Sequence, residues 1–254
     1  MATEKKIAVA GATGRLGRPT VEILRERGHE VVPISRSEGV DVITGEGLGA
    51  ALEGVDLIVD AATGPSPDQA EATEFFTTAA RNLQEAGAAS GVEEILVVSI
   101  IGTDHFNTGY NAAKVAQEQA HFNGPLPARV LRAAQFHEFV AELVEWGTEG
   151  DTARLPQMRT QLVAAEVVAE ALADLVDGAD SAPIGNPIAE VAGPREENLL
   201  EAAKLLAAQR GDDLRIEAGD FFDDPEGLYP AGAVLPGPIA KLAGPTYEEW
   251  LNQK

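Results

Sequence analysis

The stretch "IAVAGATGRLGRPTVEIL" (Ile7–Leu24) decides how this chain is read. An apolar run ends in three glycines, Gly11, Gly14 and Gly17, and passes into a segment with helical patterning. Each glycine costs conformational entropy that a side chain would save. Either a tight strand-to-helix turn needs them for its own packing, or something must come very close to that backbone.

Reading outward, apolar β-type segments alternate with helical ones. The pattern predicts strands at Lys6–Ala10, Glu30–Ile34, Val40–Ile43, Leu57–Ala61, Ile95–Ile100 and Ala128–Leu131. Helices are expected between them, at Arg15–Arg27, Leu48–Glu53, Gln69–Ala89, Asn111–Phe122 and Phe136–Trp146. "LIVDAA" and "EILVVSI" are continuous apolar runs without alternation, as in parallel strands covered on both faces. The expected fold class is therefore α/β: a doubly wound parallel sheet with right-handed crossovers.

Beyond about residue 150 the pattern loosens. Gln161–Asp177 reads as an amphipathic helix and Ala189–Gly219 as strand, helix, strand, with Gly193-Pro194 at the first boundary. The Pro- and Gly-rich segment Phe221–Pro245 is expected to be an ordered loop with a short helix. Two regions follow: the main sheet domain over 1–150, and over 151–254 the remaining elements with a small C-terminal cap. Phe221, Phe222 and Tyr229 are expected to close over an apolar pocket.

Composition narrows the function classes. With 254 residues, of which 44% are hydrophobic, the chain can bury a sizeable core. It has no cysteine, which rules out disulfides and thiolate chemistry. The net charge of −22, from 41 acidic against 19 basic residues, repels phosphate backbones, so direct nucleic-acid binding is not expected. No run of about eighteen apolar residues occurs and Met1–Lys6 is polar, so a cytoplasmic protein without a membrane partner is expected. No His/Asp/Glu spacing suggests a metal.

The glycine turn gives the first functional reading. Its spacing, after a strand and before a helix, suits a dinucleotide: bare backbone admits the pyrophosphate, and the helix start offers free N–H groups and a positive dipole end. Gly11, Thr13, Gly14, Arg15, Leu16 and Gly17 are the expected cofactor contacts. At the end of the second strand stand Ser35 and Arg36, where NAD binders often carry an acidic residue for the ribose 2′-hydroxyl. A hydroxyl and a guanidinium suit a 2′-phosphate, so NADP is the expected cofactor, with NAD the alternative because Glu38 stands close by. After Asp60, which a turn cap would also explain, Ala61, Ala62 and Thr63 are expected as backbone neighbours of the cofactor.

With "GATGRLG", "DAATG" and "SIIGTDHFNTGYNAAKVAQEQA" in order, the chain resembles the short-chain dehydrogenase/reductase superfamily. It is most similar to the atypical branch of NmrA-like and quinone-reductase-like NAD(P)-binding proteins. The resemblance implies a Rossmann domain and a catalytic group of Tyr110, Lys114 and Ser99. It also implies that Ala133, Ala134 and Phe136 set backbone against the nicotinamide, although Ala133 replaces the usual proline.

The chemistry of the pair can be stated without the family. Tyr110 and Lys114, four residues apart, share one helix face. A nearby ammonium would lower the phenol's pKa, and the phenol would exchange a proton with a carbonyl oxygen while Ser99 orients it. Lys114 would also contact the ribose. His105 and His137 remain candidates on the substrate side, and Trp146 and Met158 are read as core or cap residues.

The function expected is NAD(P)H-dependent reduction of a small carbonyl compound or quinone. Two alternatives stay open: a non-catalytic NADP(H) sensor acting through a protein partner, and an epimerase- or dehydratase-like enzyme. A homo-oligomer is a further possibility.

Overall fold

The structure, a computed structural model, describes residues 3–178, 187–219, 224 and 226–253. The chain order begins β1 (Lys6–Ala10), α1 (Gly17–Glu26), β2 (Glu30–Ile34), α2 (Leu48–Ala51), β3 (Leu57–Asp60) and α3 (Gln69–Ser90). It continues with β4 (Glu94–Ile100), α4 (Gly109–Phe122), β5 (Ala128–Ala133), α5 (His137–Gly147), β6 (Thr148–Glu149), β7 (Thr152–Leu155) and β8 (Arg159–Thr160). It ends with α6 (Ala165–Asp177), β9 (Ile188–Ala192), β10 (Glu197–Asn198), α7 (Leu199–Arg210), β11 (Arg215–Ala218), α8 (Leu228–Ala231), β12 (Lys241–Leu242) and α9 (Tyr247–Leu251).

Seven strands form one sheet in the order β12-β9-β5-β4-β3-β1-β2. The pairs β1–β2, β1–β3, β3–β4 and β9–β12 are parallel. Register runs Ile7↔Leu57 to Ala10↔Asp60 on one side of β1 and Lys6↔Glu30 to Ala10↔Ile34 on the other. Chain reversal on both sides of β1 makes this the doubly wound α/β fold expected.

The chain divides into two compact units, which interleave where the sequence reading drew one boundary at 150. The first comprises Met1–Ser99, Asn107–Arg132 and Val168–Ala189. Its core is the central strands: Ile7, Ala8, Val9, Ala10, Ile58, Val59, Ile95, Leu96 and Val97 are inaccessible to solvent. Every residue of β3 and five of seven in β4 are buried, the reason these runs show no alternation.

The second unit comprises Ile100–Phe106, Ala133–Val167 and Glu190–Lys254. It has its own core, built around Val140, Leu143, Leu155, Leu162, Ala203, Leu206 and Tyr247. Its small sheets are β11-β7-β6, with β11 parallel and β6 antiparallel to β7, and the antiparallel pair β10-β8.

Three readings need correction or limits. Val40–Ile43 is not a strand but part of a turn: Asp41 Oδ1 accepts from the N–H groups of Ile43 (2.7 Å) and Thr44 (3.3 Å), and Gly45 and Gly47 take positive φ. A carboxylate that bonds its own downstream backbone competes with sheet pairing. Trp146 is 55% exposed at the end of α5, edge-on to Phe139, whereas Met158 is buried as expected. Phe221 and Phe222 lie outside the described residues; Tyr229 packs against Phe106.

Candidate functional site

The glycine turn answers the question its sequence poses in two parts. Gly11 has φ +74°, and a Cβ there would lie 2.6 Å from Ala61 O. A Cβ on Gly17 would lie 2.0 Å from Gly11 O. Both are therefore demanded by contact of backbone with backbone. Gly14 is different: it is exposed, and an added Cβ would meet only Gly11 O, at 3.2 Å. The protein's own packing accounts for two glycines and leaves the third facing outward.

α1 begins without help from any side chain. Leu16 is its N-cap, buried and with a side chain that cannot accept a hydrogen bond, and the first turn holds no acidic residue. Backbone carbonyls serve the first turn instead: Arg18 N donates to Gly14 O and Thr20 N to Leu16 O, both at 3.1 Å, and position 19 is proline, while Thr13, Gly14 and Arg15 beside it are exposed. A helix start without a side-chain cap, with an exposed glycine turn in front of it, is chemically suited to an anion.

Around this turn the structure gathers several expected residues in the first unit. Gly11 touches Ala61 and Ala62 through the contacts just described; Ala62 is buried and Thr63 exposed. Ser35 follows β2, its Oγ 2.8 Å from Ser37 Oγ, and Arg36 opens an exposed 3₁₀ turn that also holds Glu38.

A pocket of about 280 Å³ is lined by Ile43, Gly64, Pro65 and Phe75, with Ser66, Glu71, Glu74 and Thr78 completing it. Sequence reading missed it, because Ile43 was assigned to a strand. Neither Tyr110, Lys114 nor Ser99 lines it.

Tyr110 and Lys114 lie in the first two turns of α4, and both touch Phe76 of α3. The Tyr110 ring meets Phe76 edge-on at 5.6 Å, and the Lys114 ammonium sits 4.5 Å from the same ring's centre. Tyr110 is hydrogen-bonded to Thr63, so it contacts the loop that meets the glycine turn. Lys114 Nζ donates to Val98 O at 2.8 Å and to Gln117 Oε1. Ser99, the neighbour of Val98, is buried, and its hydroxyl has no hydrogen-bond partner among the described residues. An orphaned buried hydroxyl is costly unless something else bonds it.

The electrostatics differ from expectation. Burial raises the Tyr110 phenol above its ordinary value, with the Thr63 bond pulling weakly the other way; Lys114 does not lower it. The ammonium is instead aimed at Val98 O and Gln117. Burial pushes Lys114 itself down to about 8, against the opposing charges of Asp60 and Glu118.

Ala133, Ala134 and Phe136 belong to the second unit. The two alanines are buried and their main chain is engaged: Ala133 O accepts from Ile101 N and Ala134 N donates to Val191 O, both at 3.0 Å. Phe136 is the N-cap of α5 and bridges Val163. His105 is exposed in a 3₁₀ turn. His137 is fully buried between Tyr247 and Trp250, and burial lowers it to about 4.

A family profile described as NAD(P)H-binding matches residues 11–178, more than half of the chain, beginning at Gly11. The chain belongs to the NAD(P)H-binding family. Two curated relatives align with parts of this NAD(P)H-binding protein. L-arabinose 1-dehydrogenase (NAD(P)(+)) of Haloferax volcanii is 33% identical over 123 residues, 45% of this chain and 47% of that one. Photosystem II assembly factor Ycf39 of Synechocystis is 29% identical over 110 residues, 38% of this chain and 34% of that one. Each match spans less than half of the relative's length. Among solved structures, dTDP-4-dehydrorhamnose reductase from Bacillus anthracis in complex with NADP superposes with a TM-score of 0.72 at 16% identity. It covers 99% of this chain and 98% of that one, a likeness of fold. Among the described residues no helix is long and apolar enough to cross a membrane.

Proposed function

We propose that this protein is an NAD(P)H-dependent oxidoreductase of the atypical short-chain type, acting on a small carbonyl compound or quinone and preferring NADP. The observation that carries the reading is the exposed turn Thr13, Gly14 and Arg15 in front of a helix with no side-chain cap and no acidic residue in its first turn. The diphosphate would rest there. The pocket walled by Ile43, Pro65 and Phe75 suits a flat aromatic ring, and Ser35 and Arg36 suit a 2′-phosphate.

When bound, the nicotinamide would exchange a hydride with the substrate carbon. The chain's own part is proton transfer and orientation. A phenol kept protonated by burial is the form that gives a proton, so Tyr110 suits reduction: its O–H protonates the carbonyl oxygen as hydride reaches carbon. The unpartnered Ser99 hydroxyl would orient that oxygen, and Lys114 would bond the ribose. The name of the Haloferax relative adds aldoses such as L-arabinose to the substrates worth trying.

A second reading is favoured by one observation. Lys114 is turned toward Val98 O and Gln117, and it leaves the phenol's pKa unlowered, as expected of a protein that binds the nucleotide without turning it over and signals to a protein partner.

Turnover separates the two. NADPH oxidation is measured with a panel of carbonyls and quinones, and NAD(P)+ reduction with aldoses, for wild type and Tyr110→Phe. The oxidoreductase reading expects a rate that falls at least about a hundredfold in the variant. No rate with any substrate leaves the sensor reading, and an unchanged rate in Tyr110→Phe would remove the phenol from the chemistry. For cofactor choice, Arg36→Ala is expected to weaken NADP about tenfold and NAD little by calorimetry, in line with loss of one charged hydrogen bond. An unchanged ratio would remove Arg36 from the site.

A further inference from the structure

The inner face of α4 carries polar groups where packing alone would place apolar ones. Tyr110, Lys114, Gln117 and His121 recur at helical spacing on one face. Lys114, Gln117 and His121 are 6%, 1% and 0% exposed. Gln117 Nε2 donates to Asp60 Oδ2 at 3.0 Å, while Gln117 Oε1 accepts from the Lys114 ammonium. His121 Nε2 lies 3.0 Å from the same Oδ2. Asp60 ends β3, is inaccessible to solvent, and accepts from Ala62 N at 3.1 Å through Oδ1.

The buried charges sort themselves into pairs. Arg132 holds Glu118 in a fork, with Nε and one terminal nitrogen donating at 3.0 and 2.8 Å. That leaves Asp60 and Lys114. They are joined through the Gln117 carboxamide, its carbonyl turned to the ammonium and its amino group to the carboxylate. A buried charge is tolerated only where partners answer it: Asp60 is answered first by His121 and then by Lys114, and Lys114 first by Asp60.

We propose that Asp60 is a positioning residue. Through Gln117 it fixes the charge and direction of the Lys114 ammonium. Through Ala62 N it fixes the loop that touches Gly11 and, at Thr63, Tyr110. One buried carboxylate thus ties the lysine to the backbone of the nucleotide site. The charged and titratable groups around Lys114 are Asp60 from β3, Tyr110, Glu118 and His121 from α4, and Arg132 from β5; α3 presents the Phe76 ring, while its Gln84 bonds His121. Among them Asp60 does most to hold Lys114 protonated against burial.

The consequence for catalysis or binding rests on the function proposed above, but the central test does not. The titration of Lys114 is followed by NMR of its ε-carbon in the nucleotide-free protein. Wild type is expected to titrate near 8. In Asp60→Asn the midpoint is expected to drop by about one pH unit or more, and in Gln117→Leu it moves in the same direction. Should Asp60→Asn fail to fold, judged by amide dispersion and thermal unfolding, Gln117→Leu alone decides. Midpoints that stay within about 0.3 unit of wild type in the folded variants would overturn the proposal, since a merely structural Asp60 would change stability without moving the lysine.

NADP affinity measured against pH adds the functional arm. Its alkaline limb is expected to shift down with the lysine. Complete lack of NADP binding with the lysine shift intact would break the functional reading and leave this one standing. Bound NADP with an unmoved lysine would do the reverse.

Discussion

Three helices of this molecule begin in three different ways, and the contrast separates what serves the fold from what serves a ligand. α3 starts under a side-chain cap: Asp68 Oδ1 accepts from Ala70 N at 2.9 Å and Glu71 N at 3.1 Å. α5 has no side-chain cap, but the protein covers its start, with His137 N donating to Val163 O at 2.9 Å and His137 itself buried. α1 also has no side-chain cap, and its own turn serves it, with Arg18 N donating to Gly14 O and Thr20 N to Leu16 O at 3.1 Å, but the residues of that turn, Thr13, Gly14 and Arg15, are exposed. Where an end is structural, this chain satisfies it from within. Leaving the first one without a side-chain cap forgoes stability that a Ser or Asp would supply, about 1 kcal/mol, and makes sense where an outside anion comes to the exposed turn.

The largest effects should come from the glycines, which divide into packing and approach. Gly17→Ala forces a Cβ to within 2.0 Å of Gly11 O, two backbones that cannot both hold their places. Loss of more than about 3 kcal/mol of stability and of nucleotide binding is expected, read by denaturant unfolding and calorimetry. Gly14→Ala needs a shift of only a few tenths of an ångström. Stability should change by less than about 1 kcal/mol while nucleotide affinity falls at least about tenfold. If Gly14→Ala leaves affinity intact, the outward-facing glycine is not there for a ligand and the contrast with α3 fails.

The start of α5 offers a pH test of intermediate size. Burial among Tyr247, Trp250 and Leu162 keeps His137 neutral, with a value lowered to about 4. The unfolded chain, with an ordinary value of about 6.5, takes up the proton first as pH falls. The stability this histidine contributes is therefore complete above about pH 6.5 and is lost progressively toward pH 4. His137→Phe, which keeps a ring and removes the ionisation, should lose less melting temperature than wild type between pH 7 and 5. An identical loss would show that His137 protonates without penalty.

The smallest effect belongs to the capped helix. Asp68→Ala should cost about 1 kcal/mol of stability and leave nucleotide affinity unchanged. A change in affinity would mean that the start of α3 is part of the ligand site and not simply a capped end.

Most of the first unit was legible because its central strands β1, β3 and β4 are almost wholly buried and its turns are marked by glycine. β1 and β2 fall at Lys6–Ala10 and Glu30–Ile34 as read, and α3 and α4 agree within two residues at each end. Val40–Ile43 misled because a β-branched run looks like a strand, while the competing bonds to Asp41 Oδ1 come from local geometry that a periodicity count ignores. The same misreading hid the pocket that Ile43 lines.

Lys114 and Tyr110 were legible by spacing, yet the direction of the ammonium was not. It depends on Gln117, Asp60 and Val98, and Asp60 lies 54 positions from Lys114 in the chain. A signal was available: Gln117 and His121 continue the stripe begun by Tyr110 and Lys114, and Asp60 interrupts an apolar strand. Polar residues on the buried face of a helix need a buried partner, and an acidic residue inside a buried strand is the natural one. The second unit was less readable because short strands such as β6, β8, β10 and β12, two residues each, carry no period at all.

The central claim is that a nucleotide diphosphate rests on the bare backbone between β1 and α1. Amide chemical shifts followed during titration with NADP and NAD test it most directly. The account predicts that the largest perturbations fall on Gly11–Gly17 and Ala61–Thr63. Saturation with the changes elsewhere, or no change at millimolar nucleotide, would contradict it.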